Sequence, residues 1–219
     1  MKLIVRNVHK YLSFFISVQL LLWTVSGIYF AFNKIELVRG EQYRLNNFSN
    51  IDLKEIDFKI PKTSNIEIKK RLDETIIKLS SDEHTTYLDS DGVPLNKISS
   101  EMAMLIVKEN TTLIPIEAEE ITSSKKGSEY RKKTLPLYKV VSKNDKDKLI
   151  NVYLNIYSGE ITAIRSMQWK VWDVMWGFHI MDWRERDNID NLLLKIFSIL
   201  ALVSSITGIL LFFRIDFKK

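Results

Sequence analysis

Two long uncharged apolar runs stand near the two ends of this 219-residue chain. The first extends from Tyr11 to Phe32 and the second from Ile196 to Phe213. Crossing the hydrocarbon core of a bilayer as an α-helix takes about 20 residues at a rise of about 1.5 Å each. The chain between the two runs is too polar to lie in lipid. The sequence therefore predicts two transmembrane helices that flank one aqueous domain.

Basic residues flank both runs on their terminal sides: Lys2, Arg6 and Lys10 before the first, and Arg214, Lys218 and Lys219 after the second. Cytoplasmic segments next to membrane spans carry an excess of Lys and Arg. We therefore expect both termini to be cytoplasmic and the central domain to lie outside. This distribution also accounts for the net charge of +5, so the charge does not indicate a nucleic-acid partner.

The first run is predicted to remain as a membrane anchor. It is longer than the apolar region of a signal peptide, about 7–15 residues, and bulky residues follow it where a cleavage site would need small ones. The chain contains no cysteine. Disulfides, cysteine-ligated metals and a thiol nucleophile are therefore excluded within this chain.

Apolar residues between positions 64 and 80 show helical spacing. Ser64 and Glu67 have the spacing of a capping box, and the apolar residues behind them predict a helix over 65–80. A short strand is expected over 84–88 and a second helix over 98–109.

From Leu135 the hydrophobic period changes to two. This alternation predicts antiparallel strands over 135–141, 149–157 and 161–164, separated by polar turns. The Ser- and Lys-rich segment 117–133 is predicted to be a mobile loop. Helices followed by antiparallel strands indicate an α+β domain.

A tryptophan-rich segment precedes the second run. Its aromatic residues recur every three or four positions and would lie on one face of a helix: Trp169, Trp172, Trp176, His179 and Trp183. Because tryptophan is enriched at membrane interfaces, we expect this helix to lie along the outer membrane face. A docking surface for a partner or a flat cofactor is the alternative. Arg184 and Arg186, which follow, suit lipid headgroups, a partner or a solvated turn.

The two spans are predicted to meet through small and polar residues. Counting equal distances from their cytoplasmic ends places Gln19 opposite Ser205. Ser204 and Gly208 form a small-xxx-small pair that permits close helix approach. Because lipid offers no hydrogen-bond partner to a buried amide, we expect Gln19 to face Ser204 and Ser205. A contact of Gln19 with a partner subunit is the alternative.

Several stretches resemble known families. Leu135–Val140 (LPLYKV) and Val152–Ile161 (VYLNIYSGEI) resemble the PepSY domain, with Asn155 where that family has an aspartate. Trp169–Trp183, His9–Leu12 and the Thr207-Gly208 pair resemble the PepSY-associated transmembrane family. The resemblance implies a PepSY-like periplasmic domain, with helices packed on antiparallel hairpins, between two transmembrane α-helices of a bacterial inner membrane.

The chain is accordingly divided into six parts. They are a cytoplasmic N-terminus (1–10), a first transmembrane helix (11–32), a periplasmic PepSY-like domain (33–167), an interfacial Trp-rich segment (168–190), a second transmembrane helix (191–213) and a cytoplasmic tail (214–219).

The resemblance implies an accessory or structural subunit of a membrane redox or iron-uptake system, without catalytic activity of its own. Its expected partners are membrane lipid and a reductase or transporter subunit, and not nucleic acid. A first alternative is an electron carrier that binds haem b through His9 or His179 together with a partner subunit. A second alternative is a PepSY-type module that modulates peptidases.

The residues themselves contain no comparable catalytic signature. The chain has no Gly-rich phosphate loop, nucleophile elbow or HExxH motif. His9 and His179 are expected on opposite sides of a bilayer about 30 Å thick, so they cannot ligate one haem within a monomer. The simpler interpretation is that His9 is an interfacial polar residue and His179 a packing residue.

Overall fold

The computed structural model describes residues 2–45, 51, 56, 65–81 and 84–216. They fall into two compact units. The first combines the described parts of Met1–Ile35 and Lys170–Lys219, and the second is the described part of Glu36–Trp169. The secondary structure is α+β with a long apolar helix toward each end, which confirms the predicted class.

The first unit is built from helices. Its long helices are α1 (Lys2–Phe32) and α5 (Leu192–Asp216), which pack against each other. Within them, Leu3–Phe32 and Leu192–Phe213 are long and apolar enough to cross a membrane, and most of their side chains are not buried inside the protein. This length and exposure fit the predicted two-pass membrane protein.

The second unit contains two antiparallel sheets. Three strands form the first sheet in the order β1-β2-β3: β1 (Asn65–Arg71), β2 (Glu74–Ser80) and β3 (Thr85–Leu88). Four strands form the second in the order β4-β5-β6-β7: β4 (Ile114–Ile121), β5 (Leu137–Lys143), β6 (Leu149–Asn155) and β7 (Ile161–Arg165). Strands β3, β5, β6 and β7 confirm the predicted ones.

Short helices complete the second unit. The single turn α2 (Ile35–Val38) and a 3₁₀ turn (Glu41–Tyr43) follow α1, and α3 (Ser100–Asn110) confirms the predicted second helix. The Ser99 hydroxyl accepts a hydrogen bond from the Met102 N–H and so caps α3.

The main core lies between α3 and the four-stranded sheet. Residues of α3 pack against inward-facing residues of β5, β6 and β7, and the buried set includes Ala103, Ile106, Val107, Val140, Val152, Leu154 and Ile164. A smaller core of Ile77, Leu79 and Leu88 lies on the three-stranded sheet. A third cluster, of Tyr130, Leu137, Tyr153 and Ala163, also lies on the four-stranded sheet. Each sheet therefore buries apolar residues, as an α+β layer arrangement requires.

The predicted helix over 65–80 is wrong, because this segment is the β1–β2 hairpin. Ile68 pairs with Ile77 across it, and Leu72, with φ 54°, occupies its turn. A spacing of four between apolar residues satisfies a helix, but it is also two strand periods. The β-branched residues that alternate here favour the strand. Ser64, the expected cap, lies outside the described residues.

The predicted loop over 117–133 is wrong in its first part. Residues 117–121 belong to β4, an edge strand that pairs with β5 and carries a register shift between Pro115 and Glu117. Charged side chains are typical of edge strands because they prevent pairing with other chains. The same charges made the segment look like a loop.

Candidate functional site

One face of α1 provides the polar and aromatic contacts of the first unit. Its members recur every three or four residues: His9, Ser13, Ile16, Gln19, Trp23, Ser26 and Phe30. We call this face the α1 stripe. Ile16, Gln19 and Ser26 within it are buried. Polar residues on one face of an otherwise apolar helix mark the side that contacts other helices, because lipid cannot satisfy them.

The N-terminal half of the α1 stripe contacts α5 through a polar cluster. The Nδ1 atom of His9 lies 3.1 Å from the carbonyl oxygen of Ser204 and 3.0 Å from the hydroxyl oxygen of Thr207. The hydroxyl oxygens of Ser13 and Ser204 lie 2.7 Å apart. Since a carbonyl only accepts hydrogen bonds, we assign a proton to Nδ1 of His9; in the neutral ring the lone pair then lies on Nε2.

Gly208 permits the close approach of the His9 ring to α5. A Cβ atom at this position would lie 3.1 Å from Cε1 of His9, closer than ordinary van der Waals contact. Ser204 and Gly208 thus lie where α5 meets His9 and Ser13 of α1.

The predicted pairing of Gln19 with Ser204 and Ser205 is not the one that forms. The Gln19 side chain donates to the carbonyl oxygen of Phe178, 3.2 Å away, and the Ser205 hydroxyl donates to Ala201 within α5. The prediction counted depth from Tyr11, whereas α1 already begins at Lys2. Ser13 consequently takes the place expected for Gln19, a shift of six residues or about 9 Å.

The C-terminal half of the α1 stripe contacts the Trp-rich helix α4 (Met167–His179). The indole N–H of Trp23 donates to the carbonyl oxygen of His179 at 2.6 Å, and the hydroxyl oxygen of Ser26 lies 2.8 Å from Nδ1 of His179. These contacts and the Gln19 bond tie the end of α4 to α1.

Four rings form an aromatic cluster between α1 and α4: Phe30, Trp172, Trp176 and His179. The Phe30 ring lies 5.3 Å from Trp172 and 5.5 Å from His179, measured between centroids. Trp176 stacks nearly parallel on Trp172 at 5.5 Å and on His179 at 6.2 Å. Burial lowers the pKa of His179 below its usual value, so its imidazole is neutral at neutral pH.

The structure does not bring Trp169 and Trp183 into this cluster. Trp169 belongs to the second unit, where its buried ring lies 4.4 Å from the guanidinium of Arg165. Helix α4 ends at His179, and Met181 has a φ of 57°, so the chain turns before Trp183. Trp183 is 55% exposed. The single helical face expected for all the tryptophans is therefore limited to Trp172 and Trp176.

The loop after α4 is fixed by charged residues. Arg186 pairs with the buried carboxylate of Asp173 at 3.0 Å, and a Cβ atom at Gly177 would lie 2.6 Å from Cγ of Arg186. Asp182 accepts hydrogen bonds from the backbone N–H groups of three following residues: Glu185, Asp187 and Asn188. Arg186 is thus part of the loop's own structure, while Arg184 is exposed.

The two membrane-associated histidines are far apart along α1. His9 belongs to α1, and His179 contacts it at Ser26, which is 17 residues or about 26 Å further along the helix. One haem cannot be bound by both within a chain. The tautomer of His9 fits a single axial ligand, because ligating histidines donate their other N–H to a carbonyl or carboxylate. Among the described residues, no group of three or more His, Asp or Glu could hold a metal ion.

Sequence reasoning missed Ser13, Phe30 and Asp173, and it named Thr207 only for a family resemblance and not for its contact with His9. The signal for the first was present, since Ser13 lies one helical turn after His9 and on the same face as Gln19 and Ser26. Phe30 was one of many apolar residues in its run, and its role depends on the position of α4. Asp173 forms its ion pair with a residue 13 positions away across a loop.

Comparisons of this chain with protein-family models, with curated proteins and with solved structures found no match. The structure thus defines a class: an α+β protein with two apolar helices long enough to cross a membrane and an aromatic cluster that joins the first of them to a shorter helix.

Proposed function

We propose that this protein is a two-pass, PepSY-type protein of a bacterial inner membrane and an accessory or structural subunit of a redox or iron-uptake system. Its second unit would be periplasmic and both termini cytoplasmic, as the basic flanks favour. The observation that supports the proposal is the aromatic cluster around His179. Hydrogen bonds of Gln19, Trp23 and Ser26 with Phe178 and His179 hold this end of α4 to α1.

The aromatic cluster has the properties of a surface that holds a partner subunit. The Trp172 and Trp176 rings are only partly buried, and the neighbouring Val171 and Val174 are 39% and 40% exposed. Tryptophan is enriched among residues that dominate protein interfaces. Gln19, Trp23 and Ser26 beneath the cluster are hydrogen-bonded within the chain, and the partly exposed indole rings remain for an external contact.

The proposal is tested by purifying the full-length chain from its native membranes with a mild detergent. We expect a membrane reductase or transporter subunit to be retained by the wild type and lost from the Trp172→Ala/Trp176→Ala variant. Trp183→Ala is the matched control, because this ring lies outside the cluster. Retention of the partner by the cluster variant would contradict the proposed surface, and capture of a peptidase would favour the peptidase-modulating alternative.

The tautomer of His9 favours a second candidate, a haem-binding electron carrier with a partner subunit. Haem b would supply one-electron chemistry, and His9 would provide one axial ligand through Nε2. A Soret band that survives gel filtration and is lost in His9→Ala, but not in the exposed control His84→Ala, would support this candidate. Absence of the band in the protein isolated with its partner would exclude it.

A further inference from the structure

Four basic residues of the second unit lie near one another: Arg131 and Arg165 are at the Trp169 ring, and Arg165 and Arg39 are close enough to Lys133 to act on its charge. We call them the basic patch. The guanidinium groups of Arg165 and Arg131 lie 4.4 Å and 5.5 Å from the centroid of the Trp169 ring. Trp169 is 8% exposed. A guanidinium over an indole is held by the ring's negative face, so this one side chain positions two cations.

Arg39 directly precedes a glycine that packs against β7. Gly40 has a φ of +82°, and a Cβ atom there would lie 2.7 Å from Cγ2 of Ile164. The backbone at residue 40 therefore packs directly on Ile164 of β7. Only glycine combines this φ with this approach. Arg39, the preceding residue, is exposed.

Lys133 experiences the combined positive charge of the patch. Burial lowers its pKa most, and the nearby Arg165, Arg44 and Arg39 lower it further against the opposing effect of Glu160. Its amino group forms no ion pair with any residue that the structure describes. The nearby carboxylate of Glu129 accepts hydrogen bonds from Asn151 and Tyr153. Arg165 and Arg131 also donate to the backbone carbonyl oxygens of Glu129 and Ser128. The four basic residues of the patch nevertheless outnumber the nearby carboxylates of Glu129 and Glu160, and this excess of positive charge favours an external anion.

We infer that the basic patch binds the headgroups of anionic phospholipids at the surface of the membrane that the two long helices cross. Guanidinium groups match the geometry of phosphate oxygens. Chain connectivity favours lipid over a soluble anion, because Arg39 follows the end of α1 at Phe32 by seven residues, at most about 25 Å of chain. The inference rests on the proposed membrane location but not on a redox partner, so the two can fail separately.

The test uses the full-length protein in phosphatidylcholine vesicles with spin-labelled lipids. The fraction of motionally restricted label measures the association constant of phosphatidylglycerol relative to phosphatidylcholine. We expect the wild type to prefer phosphatidylglycerol. Arg39→Gln/Lys133→Gln should reduce this preference about fivefold for each residue, or about thirtyfold together, since each basic residue near an anionic surface contributes about 1 kcal/mol. Lys146→Gln/Lys148→Gln, exposed residues of the β5–β6 turn, removes the same charge elsewhere and should match the wild type.

Three other results would contradict the binding of anionic lipid by the basic patch. Equal lipid preference in the wild type and in Arg39→Gln/Lys133→Gln, the patch variant, would overturn the inference. So would a preference that persists when salt is raised from about 0.05 M to about 1 M, because an electrostatic contact is screened. Saturable binding of inorganic phosphate to the wild type, abolished in the patch variant, would assign the patch to a soluble anion instead. If the double variant fails to fold, Lys133→Gln alone provides the measurement, because its amino group has no described ion pair to lose.

Discussion

At the scale of single residues, two glycines of the long helices differ in a way that can be measured. A Cβ atom at Gly208 would meet the His9 ring at 3.1 Å, whereas one at Gly27 would meet nothing within 4 Å. We expect Gly208→Ala to destabilise the helix pair by about 1 kcal/mol, the low end for overpacking. Gly27→Ala should stabilise it slightly through helix propensity. Thermal unfolding of the full-length protein in detergent compares them, and equal shifts would contradict the His9 contact.

Asp182 makes the loop after α4 sensitive to acid. Partial burial works to raise the pKa of Asp182, but hydrogen bonds from the backbone of Asp187, Asn188 and Glu185 outweigh it and lower the pKa below the usual 3.8. A carboxyl whose pKa is lowered by folding stabilises the folded state above its unfolded-state pKa and loses this contribution as the pH falls through its folded-state pKa. The loop is therefore expected to keep its structure from pH 7 to pH 5 and to loosen below 3.8.

Amide hydrogen exchange at residues 185–188, corrected for intrinsic rates, measures this loosening. Asp182→Ala should raise the exchange at pH 7, where the wild type is protected, by an amount corresponding to about 1 kcal/mol. Asp145→Asn, an exposed residue of the β5–β6 turn, serves as the control. Unchanged protection in Asp182→Ala would show that the carboxylate does not hold the loop.

At the scale of elements, the contact between α1 and α5 defines their register. The hydroxyl oxygens of Ser13 and Ser204 lie 2.7 Å apart, and Gln19 instead contacts the end of α4. The chain has no cysteine, so introduced cysteines report on contacts directly. We expect Ser13→Cys/Ser204→Cys to crosslink within one chain and Gln19→Cys/Ser205→Cys to do so much less efficiently. More efficient crosslinking of Gln19→Cys/Ser205→Cys than of Ser13→Cys/Ser204→Cys would contradict this register and support the one predicted from equal depths in the membrane.

At the scale of the whole molecule, the basic flanks of α1 and α5 predict the orientation in the membrane. A reporter that is active only in the periplasm should give no signal when it is fused after Lys219. The same reporter inserted in the exposed turn between Asn144 and Asp147 should give a strong one, because this turn belongs to the domain between the two spans. Activity at the C-terminus would mean that α5 does not return to the cytoplasmic side.

The two apolar helices and the β5–β7 strands were determined by the sequence itself. A run that is apolar throughout, or that alternates with period two, is compatible with few structures, and no distant contact is needed to recognise it. The α1 stripe is also local information, because its polar residues repeat at helical spacing within one segment.

Only the tertiary structure decided three features: the hairpin over 65–80, the register of α1 against α5, and which tryptophans belong to the aromatic cluster. The apolar spacing over 65–80 suits a helix and a strand equally, and the choice is made by pairing Ile68 with Ile77 and burying the latter. The helix register depends on which residues of two distant segments fit against each other, as His9 does against Gly208. Trp169 and Trp172 are three residues apart, yet their surroundings differ because separate parts of the chain pack on each ring.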